Sequence, residues 1–511
     1  MSDQGDILSN YDVIVVGAGT NGLSLAANIS REGYRVLIVE SESRVGGQAV
    51  SEEALLPGFL IHKHANYLSY TDIICDQPYT SCKSFNTPSI LPIAQHGICF
   101  RDGRPPVIVY RKDHSRRTFE SLSYYSVRDA RTYERCKKLA DTLTSALSGL
   151  YFSVPCATSW TRYFAIVAKK YTHVLDTSNL GMRSARAVID ELFGSDEIRT
   201  LMYLTTTEFS VDLEESGGAV SFLGYVLWLL GRRKIPRGGM GSVPRALAAS
   251  SRESGATIRL NSKVRRIVTQ EGAVKGVMLD DGTFVGAKMV ASSISYDVTL
   301  RMLDEQTWQA SDLTSMLRYQ GAEASLVGSY AACLGEAPRY KSAAFNGDIN
   351  QCAQTFIGLD NTAEVLEREL DLRAGRLPLP SGAVRVNSLW DESQAPNGAH
   401  VAGADCAFPA RLDESDRIQV EQAYPEAFAS MWASYAPDVM DQIKAQRLFL
   451  CGATSRKLVL REGAAQYRGP ARGLYLCGSS TYPGGGVHGA CGINAFQTMR
   501  SDITSFASRT R

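Results

Sequence analysis

Apolar positions along this chain gather into short runs, and glycine-rich turns separate them. Tyr11–Val16 reads YDVIVV, an apolar, β-branched run that predicts a buried strand. It passes directly into Gly17-Ala18-Gly19-Thr20-Asn21-Gly22. LSLAANISREG then carries apolar residues at helical spacing and stops at Gly33, a predicted C-cap. Tyr34–Val39 predicts a second buried strand and ends on Glu40. Further on, Gly238-Gly239-Met240-Gly241-Ser242 opens a helical pattern, VPRALAASSRESG. Short alternating runs come after it, with a hairpin turn signal at Asp281-Gly282. Gly473–Gly478, GLYLCG, predicts one more buried strand, and a terminal helix begins near Gly492. Ser126 looks like an N-cap for the helix after it. The longest nearly unbroken apolar run is Ala219–Leu230, AVSFLGYVLWLL. It is well short of the roughly 20 residues a membrane-spanning helix needs. Phe222, Tyr225 and Trp228 recur every third residue and so share a helical face. Core packing, the wall of an apolar substrate tunnel, and a helix dipping into a membrane surface all fit that face. In the last case Arg232, Arg233 and Lys234 would meet lipid headgroups.

Composition narrows the field. The 511 residues suggest two to four structural units. Lys and Arg number 54 and Asp and Glu 53, a net charge of +1. That balance argues against a nucleic-acid binder, which needs a positive surplus. Eleven cysteines are scattered without a C-x-x-C pair, so neither a disulfide framework nor a zinc site is suggested. No dense His/Asp cluster implies a metal. The N-terminus, MSDQGDILSN, is polar and acidic and does not read as a signal peptide. A cytoplasmic protein is expected, with contact at a membrane surface as an option.

The first glycine motif has a definite physical meaning. A strand, G-x-G-x-x-G, a helix, a strand and an acid 18 residues after the last glycine form a dinucleotide fingerprint. Gly17 permits the tight turn, Gly19 leaves room for a pyrophosphate, and Gly22 lets helix and strand pack closely. The helix start, with Thr20 and Asn21, offers N–H groups and a partial positive charge to phosphates. Glu40 would accept hydrogen bonds from a ribose and repel a 2′-phosphate, so FAD or NAD fits and NADP does not.

The stretch after Glu40 resembles the glutathione-reductase-type flavoproteins, in which Arg44 would support, and Gly46-Gly47 would approach, the FAD pyrophosphate. The resemblance extends through GAGTNGLSLA, ESESRVGGQAVSEE, PGF, GGMGS, APNGAH and GLYLCGSSTYPGGGVHGACGINAF. On these motifs the chain resembles the phytoene desaturase-like flavoproteins of the amine-oxidase and glutathione-reductase-type superfamily, over nearly its full length. His488 and Cys491 depart from the Thr-Gly-x-Pro pattern of its nearest branch. The resemblance implies FAD as cofactor, a backbone contact near Val264 to adenine, and Gly478 at the pyrophosphate. It also implies Gly486, Val487 and Asn494 near the isoalloxazine.

The expected fold is α/β. A Rossmann-like FAD-binding domain would be built from residues 1–60, 233–295 and 450–511. A discontinuous α+β substrate-binding domain would come from 61–232 and 296–449. The expected reaction is desaturation or dehydrogenation of an apolar or alicyclic carbon skeleton, carotenoid-like or a small ring. With no second nucleotide motif, oxygen or a quinone is the expected external electron acceptor. The required proton acceptor depends on the substrate. Candidates are His488, His64 and Tyr482, with His62, Tyr67 and Tyr70 as further substrate contacts. Amine oxidation, and a non-catalytic prenyl-binding escort role, are the alternatives.

Overall fold

The computed structural model describes residues 11–154, 156–303, 325–410, 412–454 and 467–509. The reading of MSDQGDILSN lies outside them.

Two seven-stranded sheets organise the chain. The first has a parallel part ordered Thr257–Arg259, Val36–Val39, Tyr11–Val16, Phe284–Ser292, Leu474–Leu476. Val13–Val16 and Val36–Val39 are buried on both faces, as the continuous apolar runs require. The first part of Phe284–Ser292 also pairs antiparallel with Ala273–Leu279, which pairs with Val264–Gln270. This is the expected meander, and its turn carries Gly282 at φ +85°. The helix Thr20–Arg31 packs on the parallel strands and against the helices Ser242–Glu253 and Ala490–Arg509. Gly33, at φ +92°, closes it as predicted.

The second sheet runs Ile443–Thr454, Ser325–Leu334, His400–Pro409, Gly382–Arg385, Thr355–Ile357, Ala94–Ile98, Val107–Tyr110. Ile443–Thr454 pairs along the length of Ser325–Leu334. The second sheet therefore extends past the boundary expected at 450. Helices follow between residues 115 and 229, and the first of them, Ser115–Ser123, packs on the edge strand Val107–Tyr110. Ser126 caps the first long one, accepting from the N–H of Asp129 at 3.1 Å.

The apolar run becomes a short α-turn at Gly218–Ser221, a π-helical stretch at Phe222–Val226, and a last turn at Leu227–Leu229. Phe222 and Trp228 are fully buried and Tyr225 is 6 % exposed. The membrane-dipping reading is corrected: this segment is core. The cations behind it are also committed. Arg232 pairs with Asp72 and Asp141, Arg233 with Glu208, and Lys234 with Asp72.

Candidate functional site

The glycine fingerprint sits where the parallel strands end. The helix Thr20–Arg31 starts at Gly19, and no side chain caps it. Its first N–H groups therefore await a partner. A Cβ on Gly19 would meet nothing within 4 Å, whereas one on Gly22 would stand 2.4 Å from the Gly17 carbonyl oxygen. Gly22 is glycine for packing, and Gly19 for something outside the chain. Asn21 adds a buried carbonyl oxygen, Oδ1, without a partner.

Glu40 does more than the sequence suggested. Its Oε2 accepts from the Ala18 N–H at 2.7 Å. Oε1 accepts from the Glu42 N–H at 3.0 Å and the Ser41 hydroxyl at 3.1 Å. A carboxylate offers about four acceptor positions, so Oε2 keeps one for a ribose hydroxyl. The Ser262 N–H donates to the Glu40 carbonyl at 2.8 Å, bringing the chain just before Val264 beside this acid.

Gly46 and Gly47 close over the fingerprint. The Gly46 N–H donates to the Ala18 carbonyl at 2.9 Å, and a Cβ on Gly47 would stand 3.2 Å from the Gly19 Cα. Arg44 does not join them. It is half exposed and pairs with Glu52, which corrects its expected place at the pyrophosphate. At Gly478 a Cβ would come 2.6 Å from the Ser293 carbonyl oxygen, so the crossing of two strand ends by itself demands a glycine.

Gly484 and Gly485 could each carry a Cβ without meeting any protein atom. Gly486, at φ +128°, could not: its Cβ would press on His488 and on Tyr70. Val487 is half-buried against the main core. His488 is fully buried, and both ring nitrogens are engaged. Nδ1 accepts from the Ala490 N–H at 3.1 Å, so Nε2 carries the proton and donates to the Gly485 carbonyl at 3.3 Å. Burial holds its pKa down to about 4. A neutral imidazole with both nitrogens occupied braces the turn and has no lone pair free to take a proton. Tyr70 and Tyr151 meet its ring edge-on, at 5.2 and 5.5 Å. Behind them Tyr225 shares a 2.8 Å hydroxyl contact with Tyr70.

Two further expectations are corrected. The Tyr482 hydroxyl donates to the Leu150 carbonyl at 2.8 Å and its ring packs on Trp160, so it joins the two halves of the molecule. The Asn494 amide donates to the Tyr151 carbonyl at 2.9 Å, which commits it to the same junction.

The segment 61–66 runs beside the Gly46-Gly47 extension, through a Glu52–Ile61 bridge and an Ala65 N–H to Gln48 carbonyl bond at 3.4 Å. Here His62 joins three segments. The Gly241 N–H donates to Ser51 Oγ at 3.0 Å, which leaves that hydroxyl to donate to His62 Nδ1 at 2.9 Å. His62 Nε2 then donates to Gln394 Oε1 at 2.7 Å. Burial lowers its pKa and keeps it neutral. His64 is less enclosed; burial lowers its pKa while the Asp405 carboxylate opposes that.

A recess opens beside this segment, lined by His62, Asn66, Arg385, Asn387 and the small residues Ala331 and Val401–Gly403. Sequence reading missed Arg385, Asn66 and Asn387, which no motif marks; sheet pairing brings them together. Below the recess, Arg233 is 1 % exposed and holds Glu208 through two contacts, at 2.6 and 2.8 Å. Tyr67 lies under its guanidinium at 3.8 Å and donates to Glu208 at 3.1 Å.

Comparison with known proteins agrees with this arrangement. The profile of the flavin containing amine oxidoreductases matches residues 22–325. Pyridine nucleotide-disulfide oxidoreductase domain-containing protein 2 of Rattus norvegicus is 25% identical, over 98% of this chain and 95% of its own. A limonene dehydrogenase chain of Castellaniella defragrans is 23% identical, over 96% and 95%. Phytoene desaturase (lycopene-forming) of Pantoea ananas is 22% identical, over 94% and 96%. An oxidoreductase from Methanosarcina mazei shares the fold at TM-score 0.62 and 14% identity, covering 96% of this chain and 100% of its own. The site fits the FAD these flavoproteins imply. Gly19 and Gly485 stay bare where the protein itself would allow a side chain, and an uncapped helix start and the Asn21 Oδ1 await partners. The cofactor is FAD, and the chain belongs to the flavin containing amine oxidoreductase family.

Proposed function

We propose that this FAD-dependent oxidoreductase is a dehydrogenase that takes a hydride and a proton from neighbouring carbons of a small alicyclic substrate. The full-length likeness to the limonene dehydrogenase chain carries the reading. The limonene dehydrogenase relative, by its name, acts on a cyclic hydrocarbon skeleton; the phytoene desaturase relative favours the longer substrate.

Bound FAD supplies the hydride acceptor. The chain supplies the rest. Gly17–Gly22, Glu40 and Gly46-Gly47 would hold the nucleotide end, and Gly484–Gly486 would receive the ring end. His62, fixed by Ser51 and Gln394, keeps the recess wall in register with the Gly46-Gly47 extension. His64 is assigned as proton acceptor. Burial lowers its pKa, which favours the neutral imidazole that proton acceptance needs. Oxygen or a quinone is the proposed final electron acceptor.

Anaerobic addition of a panel of ring compounds to the flavin-loaded protein tests the reading. At least one ring should bleach the flavin and gain a double bond. Bleaching by amines alone would replace it with the amine-oxidase alternative.

A further inference from the structure

The turn Gly484–Cys491 holds the two residues at which the chain departs from the pattern of its nearest branch, His488 and Cys491. Both are fully buried, and both reach back to carbonyls of the glycine run. His488 Nε2 donates to the Gly485 carbonyl at 3.3 Å, while Nδ1 accepts from the Ala490 N–H at 3.1 Å. Tyr70 and Tyr151, edge-on to the ring, hold it in this place. The Cys491 thiol donates to the Gly484 carbonyl at 3.3 Å and lies 3.5 Å from the Thr481 carbonyl. Burial pushes this thiol up to about 11, so it keeps its proton.

These contacts decide where the N–H groups of the run point. In a planar trans peptide unit, the C=O of one residue and the N–H of the next lie on opposite sides. The units Gly484–Gly485 and Gly485–Gly486 are both trans. With their carbonyls drawn into the protein, the Gly485 and Gly486 N–H groups turn outward. Both glycines are exposed, and among the described residues neither N–H has an acceptor in the chain. A Cβ on Gly485 would meet no protein atom within 4 Å. Two successive N–H donors turned to one side form a concavity that favours negative charge.

We infer that His488 and Cys491 are positioning residues that aim the Gly486 and Gly485 N–H groups at the flavin ring, as a two-donor hole for the negative charge the ring carries once reduced. The inference takes the ring end at Gly484–Gly486 from the reading above and holds whatever the substrate. Donors fixed in advance stabilise a developing charge without reorganising. They favour the reduced flavin over the oxidised one, which raises the midpoint potential.

That potential is measured on the flavin-loaded protein without substrate, by reduction with dithionite against an indicator dye. Two matched pairs of variants isolate the contacts. His488→Leu removes the donor to Gly485, and His488→Gln returns an amide N–H at the reach of Nε2. Cys491→Ala removes the S–H, and Cys491→Ser replaces it with a hydroxyl. His488→Leu should weaken the preference for the reduced form about tenfold, the low end for a hydrogen bond to a charged group. For a two-electron couple that is a fall of about 30 mV. Cys491→Ala should shift the potential the same way, by less because a thiol is a weak donor. His488→Gln and Cys491→Ser should stay at the wild-type value. Unchanged potentials in His488→Leu and Cys491→Ala would overturn the proposal. So would equal shifts within each pair, which would mean that only packing was disturbed. If His488→Leu fails to fold or to hold flavin, the Cys491 pair decides alone. A panel of ring compounds that bleaches nothing would sink the dehydrogenase reading and leave these potentials as expected.

Discussion

At the scale of single residues, the same residue type serves different ends a few positions apart. Gly22 answers to packing, since its Cβ would collide with the Gly17 carbonyl; Gly19 answers to empty space. The histidines divide in the same way. His62 and His488 have both nitrogens bound, and burial keeps them neutral. Each resists protonation in the folded state more than in the unfolded chain, so stability falls as the pH drops below 6.5. His64 shares the lowered pKa without being fully enclosed. As proton acceptor it must be neutral, so activity is retained above its pKa and lost below it. The rising limb of kcat/KM should therefore lie below pH 6.5. His64→Asn should lower kcat by about 100-fold, the low end for general-base catalysis, and abolish that limb. An unchanged limb in the variant would assign the proton to another group.

At the scale of elements, Phe222–Val226 shows how a pattern can be right in part. The apolar run is a helix, but its middle is wound as a π-helix. Tyr171 donates to the Leu223 carbonyl at 2.9 Å inside that stretch, and the winding presents Tyr225 to Tyr70. Trp228 is buried, donates to Thr144 Oγ1 at 2.9 Å and carries Arg232 over its ring at 4.4 Å. Trp228→Ala should cost about 3–5 kcal/mol in denaturant unfolding, as for a large buried aromatic; a side chain meant for a membrane surface would cost little. Local elements were legible from sequence because each is coded within its own few residues. Strand, fingerprint, helix, Gly33 and the Asp281-Gly282 turn all stand where the pattern put them. Two errors share one physical cause: Tyr482 and Asn494 are fixed by partners outside their own motif, Leu150 and Tyr151. No local spacing records such pairings, and for the same reason the recess around Arg385 went unseen.

At the scale of the whole molecule, the proposed FAD site would draw on segments more than 400 residues apart, with residues 17–22 and 46–47 at one end and residues 484–486 at the other. The terminal helix returns the chain to the first one, so Gly492 packs on the Asn21 carbonyl with no room for a Cβ. This packing uses protein atoms alone, so the fold is expected to survive a change at Gly19, and this makes the central claim testable in isolation. Flavin content and melting temperature should be measured together for the wild type and Gly19→Val. The wild type should purify with one FAD per chain. Gly19→Val should fold with the stability of the flavin-stripped wild type, because its side chain meets open space, and should carry no flavin. A folded Gly19→Val that retains a full complement of FAD would contradict the placement of the cofactor over this glycine.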